Sequence, residues 1–136
     1  MKVTPKSKAW DAFSKYIRLR DAIKTTGTIT DLICYTCGTR YPAFGKGCAQ
    51  AGHFIPGRKG AVLIDEIGVH GQCYNCNHNL GGAWVEYEEH MLKDYGPEIV
   101  AKLKANKHKT LKRESWEWKE IEEEYKTKYQ ELLDGK

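Results

Sequence analysis

The stretch HGQCYNCNHNL, residues 70–80, contains the pattern on which the fold of this chain depends. It carries one Cys-x-x-Cys pair, and a second pair occurs in CYTC at residues 34–37. Together the two pairs supply four thiolates, the ligand set that tetrahedral Zn²⁺ prefers in structural sites. A redox role of the thioredoxin type would need only one pair in a βαβ setting, which this sequence lacks. We therefore predict a closed structural zinc site formed by Cys34, Cys37, Cys73 and Cys76, with Cys48 as a partly buried apolar residue outside it.

The residues around the two pairs predict an α+β fold, in which a small zinc-stapled ββα core is flanked by helices. Trp10, Phe13 and Ile17 recur at helical spacing within an N-terminal helix over 7–24, which Ser7 is suited to cap. The zinc-bearing core spans 28–82 and a C-terminal helical region spans 83–136, all within one domain. The predicted elements are strands over 52–56 and 61–67, a short helix from Tyr74 to Gly82, and helices over 83–95, 97–106 and 110–133.

The composition is that of a soluble protein with an uneven charge distribution. The chain carries a net charge of +4, but residues 1–60 hold 11 Lys/Arg against 3 Asp/Glu and the remainder is acidic. A basic half indicates a polyanionic partner such as DNA, because Lys and Arg displace condensed counterions from nucleic acid; a solvated basic surface is the alternative. No apolar run approaches the roughly 18 residues of a membrane span, and the start lacks a secretion signal. We expect a cytoplasmic protein with no membrane partner.

Two polar residues between and after the cysteine pairs indicate chemistry. His53 lies in the first predicted core strand, and Asn77 directly follows the last cysteine. If the ββα unit folds back on itself, the two side chains converge. An imidazole can accept a proton from water near neutral pH, and an amide oxygen is a suitable ligand for Mg²⁺. Such a pair has the parts that phosphodiester hydrolysis needs. The alternative is a structural histidine.

Several segments resemble one family of nucleases. The chain is similar to the HNH, or ββα-metal, superfamily with a zinc-knuckle scaffold, and within it to the phage NinG/Rap recombination endonucleases. It also resembles recombination endonuclease VII in the position of Asn77 after the second knuckle. The similar segments are WDAFSKYIRLRD (10–21), CYTCG (34–38), AGHFIPGR (51–58), DEIGVHGQCYNCNHNLGG (65–82) and VEY (85–87).

This resemblance implies a division of roles among the matched residues. His53 matches the general base and also lies at the catalytic metal site, Asn77 matches the Mg²⁺ or Mn²⁺ ligand, and the four cysteines match the structural zinc ligands. The family also implies a host-bacterial cytoplasm, branched DNA such as Holliday junctions as substrate, and cleavage to 5′-phosphate and 3′-hydroxyl ends. Arg58 is a further catalytic candidate, stabilising charge on the scissile phosphate.

Two positions depart from the family pattern. Gly52 stands before the base, where an Asp or His often provides a second metal ligand, and Gly68 replaces the middle Asn that holds the loop around the base. His70 is our candidate for a substitute, as ligand or phosphate contact, with a turn histidine as the alternative. Asp65 is a weaker candidate for the missing carboxylate, and His78 is a weak one for sharing the metal.

The remaining expectations concern DNA and assembly. We predict phosphate contacts from Arg58, Lys59, Lys15 and Arg18. A homodimer through the C-terminal helices would suit paired incisions at a junction. Two alternatives stay open: a generic HNH nuclease acting on duplex or single-stranded DNA, and a non-catalytic zinc module that binds DNA, in which Gly52 and Gly68 mark a decayed site.

Overall fold

A computed structural model describes residues 3–56 and 60–135 of the chain. The first element, α1, spans Pro5–Thr26 and ends at Gly27, which adopts the left-handed conformation typical of a helix stop (φ 72°). The predicted cap is wrong by one turn: Thr4 is the N-cap, and Ser7 closes a reciprocal capping box with it. The cap therefore lengthens the helix at its start, and the predicted apolar face is preserved.

Within the described ranges, four short strands form two antiparallel hairpins. Strand β1 (Asp31–Ile33) pairs with β2 (Arg40–Pro42), and β3 (Gln50–His53) pairs with β4 (Val69–Gln72). The predicted strand over 61–67 is wrong, because its apolar residues enter the core from a turn-rich segment while the strand begins at Val69. In the β3–β4 register, Gly52 lies opposite His70.

The chain continues with one short and three longer helices. A single π-helical turn spans Asn75–Asn79, followed by α2 (Trp84–Tyr95), α3 (Pro97–Ala105) and α4 (Ser115–Asp134). The predicted start of α4 at residue 110 is too early, because Glu114 caps this helix in a reciprocal box with the residue at its N3 position. The arrangement confirms an α+β fold. None of the helices in the described ranges has the length and apolar character needed to cross a bilayer.

Helix α4 packs along α1 and closes the core over the β3–β4 hairpin. Phe13 and Tyr125 meet edge to face with ring centroids 4.8 Å apart. Glu66 attaches the loop before β4 to both helices: its carboxylate accepts hydrogen bonds from Tyr16 Oη of α1 at 3.2 Å, and from Tyr125 Oη and Lys128 Nζ of α4 at 2.9 and 2.8 Å. These contacts fix the loop that precedes β4 against both helices.

A buried ion pair on α1 binds the backbone of β4. Asp21 is 4% exposed; its Oδ1 accepts from Arg20 Nε at 2.8 Å, and its Oδ2 accepts from the Gly71 backbone N–H at 2.7 Å. Burial opposes ionisation, but the hydrogen bond to His70 and the charge of Arg20 lower the pKa of Asp21 below its ordinary value. Asp21 is therefore a carboxylate that ties α1 to the middle of β4.

Candidate metal centre and active site

The four cysteines of the two Cys-x-x-Cys pairs meet at one point. Their sulfur atoms all lie within 4.8 Å of one another, and three of the four residues are buried. Cys37 is the exposed member, with its Sγ 3.9 Å from that of Cys73. Such a cluster fits a tetrahedral structural zinc ion, as the sequence predicted. Cys48 is half-buried and lies outside the cluster.

The electrostatics of the cluster favour a bound dication. Although burial opposes ionisation, a hydrogen bond from the Cys73 backbone N–H and neighbouring donors lower the pKa of Cys34 to about 6. At Cys76, burial and the neighbouring sulfur atoms raise the pKa to about 12. Four thiolates at this spacing repel one another unless a positive ion neutralises them, so full deprotonation and metal binding go together.

His53 ends β3 and is held from two sides. Its Nε2 lies 3.0 Å from the Leu63 carbonyl oxygen, and its ring stacks on Trp10 with centroids 4.9 Å apart. A carbonyl oxygen can only accept, so Nε2 is the protonated nitrogen in this contact. A neutral imidazole bonded in this way carries its lone pair on Nδ1, which is the atom that could accept a proton.

Asn77 reaches back from the π-helical turn to β3. Its Nδ2 donates to Gln50 Oε1 at 2.8 Å, and its Oδ1 lies 2.9 Å from the position that a Cβ on Gly52 would take. Because Gly52 directly precedes His53, the amide of Asn77 lies against the residue next to the predicted base. The structure thus packs the predicted metal ligand against the strand that ends at the predicted base.

Gln72 is a candidate site residue that the sequence interpretation missed. It is fully buried, and its Nε2 donates both to Thr36 Oγ1 at 3.0 Å and to the Gly82 carbonyl at 2.9 Å. Its Oε1 therefore points the other way, and this atom has no hydrogen-bond partner in the described part of the chain. A Cβ on Gly52 would overlap it. The only sequence signal was a glutamine in an otherwise buried strand beside a zinc ligand.

These residues fit a divalent cation such as Mg²⁺ or Mn²⁺. Two amide oxygens, one of them buried without a donor, flank the space that any side chain at Gly52 would fill. Uncharged oxygen donors are suitable ligands for hard cations, which keep several waters and complete their shell with substrate phosphate. The glycine that departs from the family pattern thus lets these two amide oxygens approach the strand at one place.

A groove of about 340 Å³ opens beside Asn77. Arg18 lines it, with Nη1 3.1 Å from the Ala43 carbonyl oxygen and Nε 3.3 Å from that of Ser14. Its hydrogen bonds within the described ranges use Nε and Nη1, so Nη2 keeps its donors for another acceptor. Lys15 does not line this groove and pairs instead with Asp11 at 3.2 Å. The full lining is Trp10, Ser14, Arg18, Cys48, Ala49, Gln50, Ala51 and Asn77.

The structure places His70 away from this groove. The residue is 3% exposed; its Nδ1 lies 3.6 Å from Asp21 Oδ2, and its ring stacks on Tyr35 at 4.0 Å. Its Nε2 lies 3.1 Å from Tyr95 Oη. These contacts favour the alternative interpretation of a structural histidine over a ligand or phosphate contact.

The other candidates have separate surroundings. Asp65 Oδ1 accepts from the backbone N–H groups of Ile67 and Gly68, so this carboxylate closes the turn that a middle Asn was expected to hold. His78 is exposed and stacks on Tyr74 at 4.8 Å. The predicted phosphate contacts Arg58 and Lys59 lie outside the described residues.

The fold and the cysteine cluster define a small α+β protein in which four clustered cysteines, suited to hold a metal ion, lie beside a β-hairpin and the helical turn that follows it. A family model described as Bacteriophage Lambda NinG protein matches residues 4–134. The chain therefore belongs to the NinG family, as the resemblance in its sequence implied. Comparison with curated proteins and with solved structures gives no significant match.

Proposed function

We propose that this protein is a divalent-metal-dependent DNA endonuclease that cleaves branched recombination intermediates such as Holliday junctions. His53 is the proposed general base, and Asn77 is a proposed ligand of the catalytic Mg²⁺ or Mn²⁺. The four-cysteine site would hold a structural zinc ion. The preference for branched DNA is an expectation from the family resemblance.

One observation carries the proposal. The amide oxygen of Asn77 lies against Gly52, the residue directly before His53, so a candidate cation ligand contacts the strand that carries the candidate base. The carbonyl of Gly52 accepts a hydrogen bond from the buried Tyr87 hydroxyl at 2.7 Å, which fixes the backbone between them. Catalytic groups need this kind of support, because small displacements cost large factors in rate.

The proton transfer follows from the contacts of His53. With Nε2–H donated to the Leu63 carbonyl oxygen, Nδ1 takes the proton of a water molecule. The oxygen of that water forms a bond to phosphorus while the bond from phosphorus to the 3′-oxygen breaks, and the leaving oxygen acquires a proton. The products are a 5′-phosphate and a 3′-hydroxyl end. The stacked Trp10 ring keeps the imidazole plane in place during this exchange.

The cation would supply electrostatic stabilisation of the charge that develops on the phosphate oxygens. The protein offers it neutral amide oxygens at this site, so most of the charge that attracts it must come from the DNA phosphate itself. We therefore expect weak cation binding by the free protein and stronger binding in the presence of DNA.

Arg18 is the best placed of the predicted DNA contacts within the described ranges. It lies in the groove beside Asn77, where its remaining guanidinium donors could bind a phosphate oxygen. A homodimer through the C-terminal helices stays a prediction. Since Trp118 and Tyr125 of α4 are buried within the chain, such a dimer would use the opposite face of α4, where Trp116 is exposed.

A cleavage assay tests the proposal. Purified protein is incubated with a labelled four-way junction and with a matched linear duplex, each with and without Mg²⁺. We expect junction-selective, metal-dependent cutting that His53→Ala and Asn77→Ala each reduce by at least about 100-fold. His108→Ala and Asn79→Ala are matched controls, because both residues are exposed, and each should cut as the wild type does.

Three other outcomes would revise the proposal. Equal cutting of junction and duplex would leave a generic nuclease. Tight junction binding without cutting in Mg²⁺, or in Mn²⁺ used in its place, would leave a zinc-stabilised DNA-binding module. If imidazole added to His53→Ala restores cutting in the wild-type pH range, the histidine acts as a base; failure of rescue in a folded variant would argue for a structural role.

A further inference from the structure

We propose that Gln72 is the second protein ligand of the divalent cation, and that Gly52 is a glycine because the Gln72 and Asn77 oxygens use the space beside it. This inference rests on the proposed function, in which the cation assists phosphodiester cleavage. It assigns a metal-binding role to a residue in a strand that otherwise serves the core.

The buried oxygen of Gln72 carries the argument. Leaving a buried amide oxygen without a donor destabilises the fold, so a native protein keeps such an oxygen where it has a use. The orientation of the amide is fixed, because a turn of 180° would point Oε1 at the Gly82 carbonyl oxygen, which cannot donate. A cation is one partner that would satisfy this oxygen.

The two amide oxygens converge on a single space. Gln72 Oε1 and Asn77 Oδ1 both lie around the point where a Cβ on Gly52 would stand, Asn77 Oδ1 at 2.9 Å from it. The Asn77 side opens to the groove beside Arg18, so an ion with its waters has a route to the site. Where family members often place a carboxylate, this chain offers two amide oxygens beside a glycine.

The zinc site would position this ligand. Gln72 directly precedes Cys73, and its Nε2 donates to Thr36 Oγ1, which lies 3.5 Å from Cys34 Sγ. The knuckle therefore holds the nitrogen of the amide and directs its oxygen toward Gly52. This contact joins the structural metal site to the proposed catalytic one through a single side chain.

One rearrangement competes with this proposal. If the Asn77 amide were turned over, together with that of Gln50, its Nδ2 would face Gln72 Oε1 and donate to it. In that arrangement Gln72 needs no cation. The two possibilities differ in whether the Gln72 side chain responds to a divalent ion, which can be measured in the wild-type protein.

The test uses NMR on the zinc-loaded full chain labelled with ¹⁵N, with Mn²⁺ at low substoichiometric amounts and then with Mg²⁺. We expect Mn²⁺ to broaden the side-chain amide signals of Gln72 and Asn77 most strongly, and Mg²⁺ to shift the same signals along one binding curve. A Mg²⁺-dependent shift of the Asn77 signals with unchanged Gln72 side-chain signals would overturn the proposal, and so would an absence of any response at both residues. No variant is needed for this measurement, so it holds even where substitutions disturb folding.

Variants then measure the contribution of each group to Mg²⁺ affinity. Gln72→Met removes the oxygen at similar volume, and Gly52→Ala fills the space; we expect each to raise the Mg²⁺ Kd by about tenfold or more. Gly71→Ala is the matched control, because its Cβ would crowd Leu32 at 2.8 Å on the same hairpin without reaching the site. A Kd within twofold of wild type for both test variants, with a large rise for Asn77→Ala, would contradict the role of Gln72.

The cleavage assay separates the two proposals. Cation binding that depends on Gln72, in a protein that cuts no DNA, would support this inference while removing the nuclease function. Metal-dependent cutting that is unchanged in Gln72→Met would keep the nuclease and remove the inference.

Discussion

Replacement of Asp21 by Asn should be among the most destabilising single polar substitutions in this chain. The two carboxylate oxygens face two different donors: Oδ1 accepts from Arg20 Nε at 2.8 Å, and Oδ2 accepts from the Gly71 N–H at 2.7 Å. An asparagine has the same shape, but its NH₂ group must face one of these donors in either orientation. The substitution also leaves the largely buried Arg20 without its carboxylate.

The expected cost follows from the burial of the pair. Breaking a buried ion pair by removing one charge costs about 3–5 kcal/mol, compared with about 0–1 kcal/mol for an exposed one. For a chain of this size, such a loss lowers Tm by about 10–15 °C. The measurement is chemical and thermal denaturation followed by circular dichroism. Asp31→Asn is the control, because its pair with Arg40 at 3.0 Å is exposed, and it should change stability by less than about 1 kcal/mol.

The pH dependence provides a second check on the same residue. The pKa of Asp21 is lowered by folding, so its stabilising contribution is present above the ordinary value of 3.8 and is lost as the pH falls through the lower folded-state value. The difference between wild type and Asp21→Asn should therefore be constant near neutrality and shrink below about pH 4. A loss no larger than that of Asp31→Asn, or a difference that grows in acid, would refute the assignment of a buried carboxylate.

Three further outcomes test other parts of the fold. A strong chelator should remove one zinc ion per chain from the four-cysteine cluster, as measured with a zinc indicator. The chelated protein should lose its cooperative unfolding transition in circular dichroism. Retention of the transition would show that the metal is dispensable for folding. Trp118→Ala should cost about 3–5 kcal/mol in urea denaturation because Trp118 is 8% exposed, whereas Trp116→Ala, at 62% exposed, should cost less than about 0.5 kcal/mol; equal losses would contradict the packing of α4. The free energy of unfolding of Gly68→Ala should lie within about 0.5 kcal/mol of the wild-type value, since the added Cβ would approach Asp65 only to 3.6 Å. A larger loss of stability would mean that the turn has no room for a methyl group.

Features of the fold that depend on neighbouring residues could be predicted from the sequence. The apolar spacing of Trp10, Phe13 and Ile17 fixes the buried face of α1 because it repeats with the helical period. The Cys-x-x-Cys spacing brings each thiol pair to one side of a metal, and the doubled motif indicates that the pairs share it. The prediction of a strand over 61–67 was wrong because the burial of this segment depends on residues that are distant in sequence. Its apolar pattern resembles that of a strand, but Val62 and Leu63 are buried by helices elsewhere in the chain.

The sequence by itself determined the family, the four clustered cysteines, and His53 and Asn77 as candidates, since each is carried by a short local pattern. Only the tertiary structure decided how the departures from that pattern are resolved. His70 is buried beside the Asp21 carboxylate, and the absence of a side chain at Gly52 leaves space for the oxygens of Gln72 and Asn77. No local pattern could indicate this, because the direction of the Gln72 amide is set by Thr36 and Gly82, which only folding brings beside it.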